Sequence, residues 1–155
     1  MSQVTRLVAV HQDEWLEQFV YEIDMLLVAD RLARAHGREW ADWRLHNVGV
    51  EAVLVHARTL DAFLGGAPGA AVPVYAPFGA AADWVPGFTP QHFLTDTELL
   101  AISGTLGRFG SFSSAQSPWD HEKVVERARH ACLALAERMP TADADAVVGA
   151  CIGPA

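Results

Sequence analysis

Cysteine is nearly missing from this chain. Its two cysteines, Cys132 and Cys151, are not in CxxC spacing, so a disulfide framework is excluded and a reducing, cytoplasmic setting is expected. Lysine is scarcer still. Lys123 is the only one, and no GxxxxGK[ST] phosphate loop can be built around it. Eleven basic against nineteen acidic residues give a formal charge of -8, which repels phosphate backbones and argues against a broad nucleic-acid surface. No apolar run approaches the ~20 residues of a membrane span. The short run Leu7–Val10 ends at Asp13 and Glu14, too soon for a signal peptide. The serines at 111, 113, 114 and 117 lie in no GxSxG elbow. No two of the seven histidines stand three or four apart, the usual signal of a metal pair on a helix, so neither a metal nor a cofactor is expected.

What the chain does have is apolar content, 51% hydrophobic against 19% charged residues over 155 positions. That is the composition of one folded domain. The stretch 44–64, RLHNVGVEAVLVHARTLDAFL, contains no proline and a single glycine, Gly49. At about 100° per residue, Leu45, Gly49, Ala52, His56, Thr59, Leu60 and Phe63 share one side, which predicts a central packing helix. Asn47, Glu51, Arg58 and Asp61 fall on the polar side. A preceding helix is expected over about 13–35, burying Trp15, Phe19, Ile23 and Leu26, with Asp30 and Arg34 paired at i, i+4. Trp40 and Trp43 are expected at the turn between the two helices.

Residues 65–90 then carry most of the eight prolines together with Val72, Tyr75, Phe78, Trp84 and Phe88. This composition suits neither a regular element nor a solvated linker, and predicts a long apolar loop lying across the helices. A third helix starts at Thr95 or Asp96, with Glu98 in its first turn. A fourth starts at Ser117-Pro118, buries Val124, Val125, Ala128, Ala131, Cys132, Leu135 and Ala136, and stops at Pro140. The expected fold is all-α: a single-domain antiparallel helical bundle of about four helices with a long Pro/Gly/Ala-rich loop. Residues 1–12 form an N-terminal arm and 140–155 a loosely anchored tail.

The segment LVHARTLDAFL, with Leu54, His56, Arg58, Leu60, Asp61, Phe63 and Leu64, resembles an LLxHxRxLxDFL signature found in small bacterial α-helical proteins without an assigned activity. The string Ala81-Ala82-Asp83-Trp84-Val85-Pro86 is similar to the segment that follows it there. Here the Asp stands one place from its commonest position, and a later HLTxxR element has no counterpart beyond Leu106-Gly107-Arg108. The resemblance implies a helical fold and little about activity. Separately, Arg31 and His36 have the spacing of the Rx4-6H motif and so resemble HEPN-type helical ribonucleases, which implies a toxin or defence role.

Three functions follow as expectations. The first is a non-enzymatic interaction or self-association module, with a homo-oligomer or protein partner and no membrane. The second is a HEPN-like ribonuclease using Arg31 and His36, the one case in which nucleic acid would be a partner. The third is a small-molecule binder with its pocket under residues 65–90, drawing on His56, Arg58, Asp61, Asp83 and Trp84.

Overall fold

The computed structural model describes residues 12–36, 43–66, 79–106 and 120–153, which form six helices and no strand. They are α1 (Gln12–Ala35), α2 (Trp43–Gly65), α3 (Ala81–Trp84), α4 (Asp96–Leu106), α5 (His121–Ala136) and α6 (Thr141–Ile152). The all-α class is as expected, with more helices than the four anticipated. Residues 1–11 of the expected arm, Trp40, residues 67–78 of the Pro-rich loop and the Ser117-Pro118 start lie outside the described residues, whereas Gln12 begins α1.

α1 and α2 pack side by side and antiparallel. Trp15 stacks on Phe63 at one end, Glu22 meets His56 midway, and Ala33 meets Gly49 and His46 at the other. α5 and α6 pack on this pair, α6 touching both α1 and α5. One buried apolar cluster runs through them, from Trp15 and Phe19 through Val53, Leu54 and Leu60 to Val124, Leu135 and Val147.

The helix ends follow local chemistry. Glu98 N–H donates to Thr95 Oγ1 and Thr95 N–H to Glu98 Oε2, a reciprocal cap at the start of α4. α5 begins at His121, with the Asp120 carboxylate accepting from Lys123 N–H. Its buried arc is the expected set, Val124 to Ala136. Arg127, on the outer side of that helix, is half-buried and holds Glu98 of α4 by two hydrogen bonds of 3.1 and 2.6 Å.

Two expectations need correction. The stretch after Pro140 is not a loose tail. Residues 141–152 form α6, closed by Gly153 at φ 75°, and bury Val147, Ala150 and Cys151 against α1 and α5. Fully burying Val147 is worth about 2 kcal/mol, and the Cys151 and Cys132 thiols meet across the α5–α6 contact.

The buried side of α2 also differs. It is centred on Val50, Val53, Leu54, Ala57, Asp61 and Leu64, rotated by roughly 120° from the arc read off the sequence, of which Gly49, Leu60 and Phe63 are nonetheless buried. Leu45 is exposed, and Ala52 and Thr59 are half-buried. α2 is apolar on two sides, and packing takes the one with Val53 and Leu54.

Candidate functional site

Three polar clusters lie where α2 meets its neighbours. The first is Asp61, expected on the polar side in reach of Arg58 but only 1% exposed. Its Oδ1 accepts from the N–H groups of Phe93 (2.7 Å) and Leu94 (2.9 Å), and its Oδ2 lies 2.8 Å from His92 Nδ1. Gln91 N–H donates to Leu64 O. The His92 ring lies against Gly65, where an added Cβ would collide with it. Segment 91–94 is thus fastened across the C-terminal end of α2, and the carboxylate is its anchor.

In the second cluster His56 Nδ1 lies 2.6 Å from Glu22 Oε2, and Gln18 Nε2 donates to Glu22 Oε1 at 2.7 Å. A carboxylate only accepts, so His56 donates through Nδ1. Tyr21 sets its ring edge-on to the imidazole at 6.4 Å.

The third cluster joins the end of α1 to the starts of α2 and α5. Arg34 Nε donates to Asp30 Oδ2 at 2.8 Å, the pair expected from the sequence, and Arg34 Nη1 reaches Glu122 at 3.7 Å. Asp30 Oδ1 and His121 Nε2 face each other at 3.6 Å, both buried and without a hydrogen-bond partner among the described residues. His121 stands edge-on to His46 at 5.9 Å. His46 Nδ1 lies 2.8 Å from Ala33 O and 3.1 Å from His36 O. Carbonyls only accept, so His46 Nδ1 carries a proton and donates to them.

Burial holds His121 below the usual histidine range, with Asp30 and Glu122 pulling the other way and His46 and Arg34 adding to the depression. The folded chain therefore takes up this proton less readily than the unfolded one. Its contribution to stability is complete above about pH 6.5 and declines as the pH falls towards the folded value. Going from pH 7.5 to 5.5 should lower the urea midpoint of the wild type more than that of His121→Gln, which has no imidazole to charge. Equal shifts in the two would contradict this.

Two imidazoles beside a carboxylate are a proton-handling and metal-ligating set in kind. Among the described residues, however, no group of three or more His, Cys, Asp or Glu is placed to hold a metal ion. Comparison with protein-family models, curated proteins and solved structures finds no match. The chemistry of this chain has to be read from its own residues.

The other candidates are dispersed. Arg31 is exposed, with Nη1 beside Gly153 at the end of α6, whereas His36 belongs to the α1–α2 junction through its carbonyl. Asp83 Oδ2 accepts from Ala80 N–H at the start of α3. Trp84 stacks on Trp15 at 5.8 Å, in an aromatic group with Phe19 and Phe63. Arg58 is half-buried on α2. His56, Asp61 and Trp84 are each taken up by packing or hydrogen bonds within the fold.

The feature that sequence reasoning missed is on the outside. Among the described residues seven large hydrophobic side chains are exposed, and five belong to the α1–α2 pair: Tyr21 (50%), Val28 (47%), Leu45 (45%), Val48 (53%) and Val55 (38%). Their spacing makes this one face. Tyr21, Met25, Val28 and Leu32 repeat at 4, 3 and 4 residues along α1, and Leu45, Val48, Ala52 and Val55 at 3, 4 and 3 along α2. The signal was in the sequence, since Leu45 and Ala52 were on the arc drawn for the core.

Proposed function

We propose that this chain is a non-enzymatic interaction module, an antiparallel helical bundle whose docking surface is the outer face of α1 and α2. The observation that carries this reading is the concentration of five of the seven exposed large hydrophobics on that one face. Scattered exposed apolar residues are ordinary, but a contiguous apolar strip on a folded surface marks a place where another polypeptide docks. Both strips keep the 3–4 heptad alternation by which a helix presents a seam to a helical partner. Charges flank the strips, Glu17, Asp24 and Arg31 on α1 and Arg44 and Glu51 on α2, all exposed. An apolar centre with a charged rim is the composition of a protein interface.

The test is site-specific photo-crosslinking in cells making the full chain. A photoreactive phenylalanine analogue replacing Val48 or Val55 should give a discrete adduct. The same group replacing Glu126, on the exposed side of α5, should give none. Indistinguishable labelling from all three positions would overturn the reading.

A further inference from the structure

We infer that the occupant of this face is an amphipathic α-helix of another protein, laid along the valley between α1 and α2. Its first turns are acidic and lie over Arg31 and Arg44. Its last turns are basic and lie over Glu17 and Asp24. This rests on the docking reading above and adds the partner's secondary structure, charge pattern and direction.

The face is itself helical, and that restricts what can lie on it. Along the seams the backbone N–H and C=O groups are paired within their own helices, and the described residues contain no strand. No sheet edge is offered. A partner that covers this apolar surface must satisfy its own backbone groups, and a helix does so within its own turns. The two seams suit one. Tyr21, Met25, Val28 and Leu32 run along α1 beside Leu45, Val48, Ala52 and Val55 on α2, each set spanning about 16 Å at ~1.5 Å rise per residue. Between them Gly49 brings α2 against the backbone of Ala29 and Ala33. The valley is therefore narrow, and one helix of ~10 Å diameter touches both sides. About three turns of apolar anchors at every third or fourth residue cover its length, as in other helix-in-groove complexes.

Charge sets the direction. The contacts of Glu22 with His56 and of Ala33 with His46 and Gly49 fix the register of α1 against α2. In that register Val55 stands level with Asp24, Glu51 with Val28, and Arg44 with Ala35. The exposed acids Glu17, Asp24 and Glu51 therefore border one part of the valley, and the exposed Arg31 and Arg44 border the other. Arg44 stands at the rim with its guanidinium 5.6 Å from the Trp43 ring centroid. A helix with acids early and bases late meets opposite charge at both ends only when it runs parallel to α2. The reverse direction sets like charges together at both ends, which complementary interfaces avoid. Acids early and bases late is also the order that the helix macrodipole favours. The pattern selected by the face is thus one that a stable helix carries.

The experiment is fluorescence anisotropy on the purified full chain with two labelled 18-residue peptides at nanomolar concentration. Both carry leucine at alternating third and fourth positions. One has glutamates in its first half and lysines in its second, and the other has them reversed. The Glu-first peptide should bind at least tenfold tighter. It is also the better helix in solution, so the deciding comparison is with the double variant Glu17→Arg/Arg44→Glu, which removes the charge difference between the ends of the valley. There the preference should shrink several-fold. Val48→Glu should weaken binding of the Glu-first peptide at least tenfold with unchanged helical circular dichroism. No binding of either peptide at 100 µM would overturn the inference. So would an equal preference on the wild type and the double variant, or indifference to Val48→Glu. The photo-adducts from Val48 and Val55 separate the two layers. A partner residue joined to Val55 about seven positions C-terminal to the one joined to Val48 supports the helix and its direction. The opposite order, or an adduct of twice the 16.8 kDa of the chain, sinks the inference and leaves the docking face standing, whereas absence of an adduct sinks both.

Discussion

Asp61→Ala should cost this protein about 3–5 kcal/mol of folding free energy. Removing the carboxylate strands the N–H groups of Phe93 and Leu94, two buried residues whose donors point at Asp61 Oδ1. A buried donor left unsatisfied costs about 1–3 kcal/mol, more where the lost partner was ionised. The bond to His92 adds little, because that imidazole is 38% exposed and water can replace it. Asp61→Asn keeps an acceptor for the two N–H groups and gives up the acceptor facing His92, so it should cost roughly half as much as alanine. Urea denaturation of the two variants and the wild type measures this directly. Since a domain of this size is stable by about 5–15 kcal/mol, the alanine variant should be visibly nearer unfolding at 37 °C. A loss under 1 kcal/mol would mean that segment 91–94 is held by the packing of Phe93 and Leu94 and not by the carboxylate.

This anchor also marks where sequence reasoning stopped. The course of the helices was readable because it rests on neighbours in the chain: the Thr95–Glu98 box, Pro140 as a stop, the i, i+4 pair of Asp30 and Arg34, and the single apolar arc of α5. The facing of α2 was not readable, because a helix carrying Val50, Val53, Leu54 and Ala57 on one side and Leu45, Val48, Ala52 and Val55 on another has two candidate interiors. Only the partners settle which is taken. Asp61 followed the same error, since a carboxylate belongs outside unless a distant backbone turns its N–H groups toward it, and residues 93 and 94 are 32 and 33 positions away.

α6 was missed for a related reason. Its stretch TADADAVVGACI is weakly patterned, and its burial depends on Val147 and Cys151 reaching α1 and α5. As for the candidate site, the histidines and acids singled out from the sequence are mostly spent inside the fold. The side chains that reach outward are the apolar ones on the second arc of α2. That inversion is why the role proposed above is placed on the outer face of α1 and α2.

Gly49→Ala is the second large effect expected, and its sign is informative. In an unconstrained helix the change stabilises by about 1 kcal/mol, because alanine gives up less backbone freedom. Here an added Cβ would lie 2.5 Å from Ala33 N, 2.8 Å from Ala33 Cα and 2.9 Å from Ala29 O. All three are backbone atoms of α1, so no side chain can turn away, and the two helices must separate or slide. Overpacking of this kind costs about 1–3 kcal/mol in general, and a backbone-on-backbone clash belongs at the upper end, outweighing the gain in propensity.

The thermal midpoint of Gly49→Ala should therefore fall by several degrees. A rise would show that α1 and α2 can part without loss. The substitution also bears on the outer face. Gly49 sets how closely α1 and α2 approach, and that distance fixes the spacing between the Tyr21–Leu32 and Leu45–Val55 seams. Widening it should weaken docking at that face together with stability, whereas Val48→Glu should weaken docking and leave the fold intact. If Gly49→Ala lowers the thermal midpoint and leaves docking at the outer face untouched, the close approach of α1 and α2 serves only the interior.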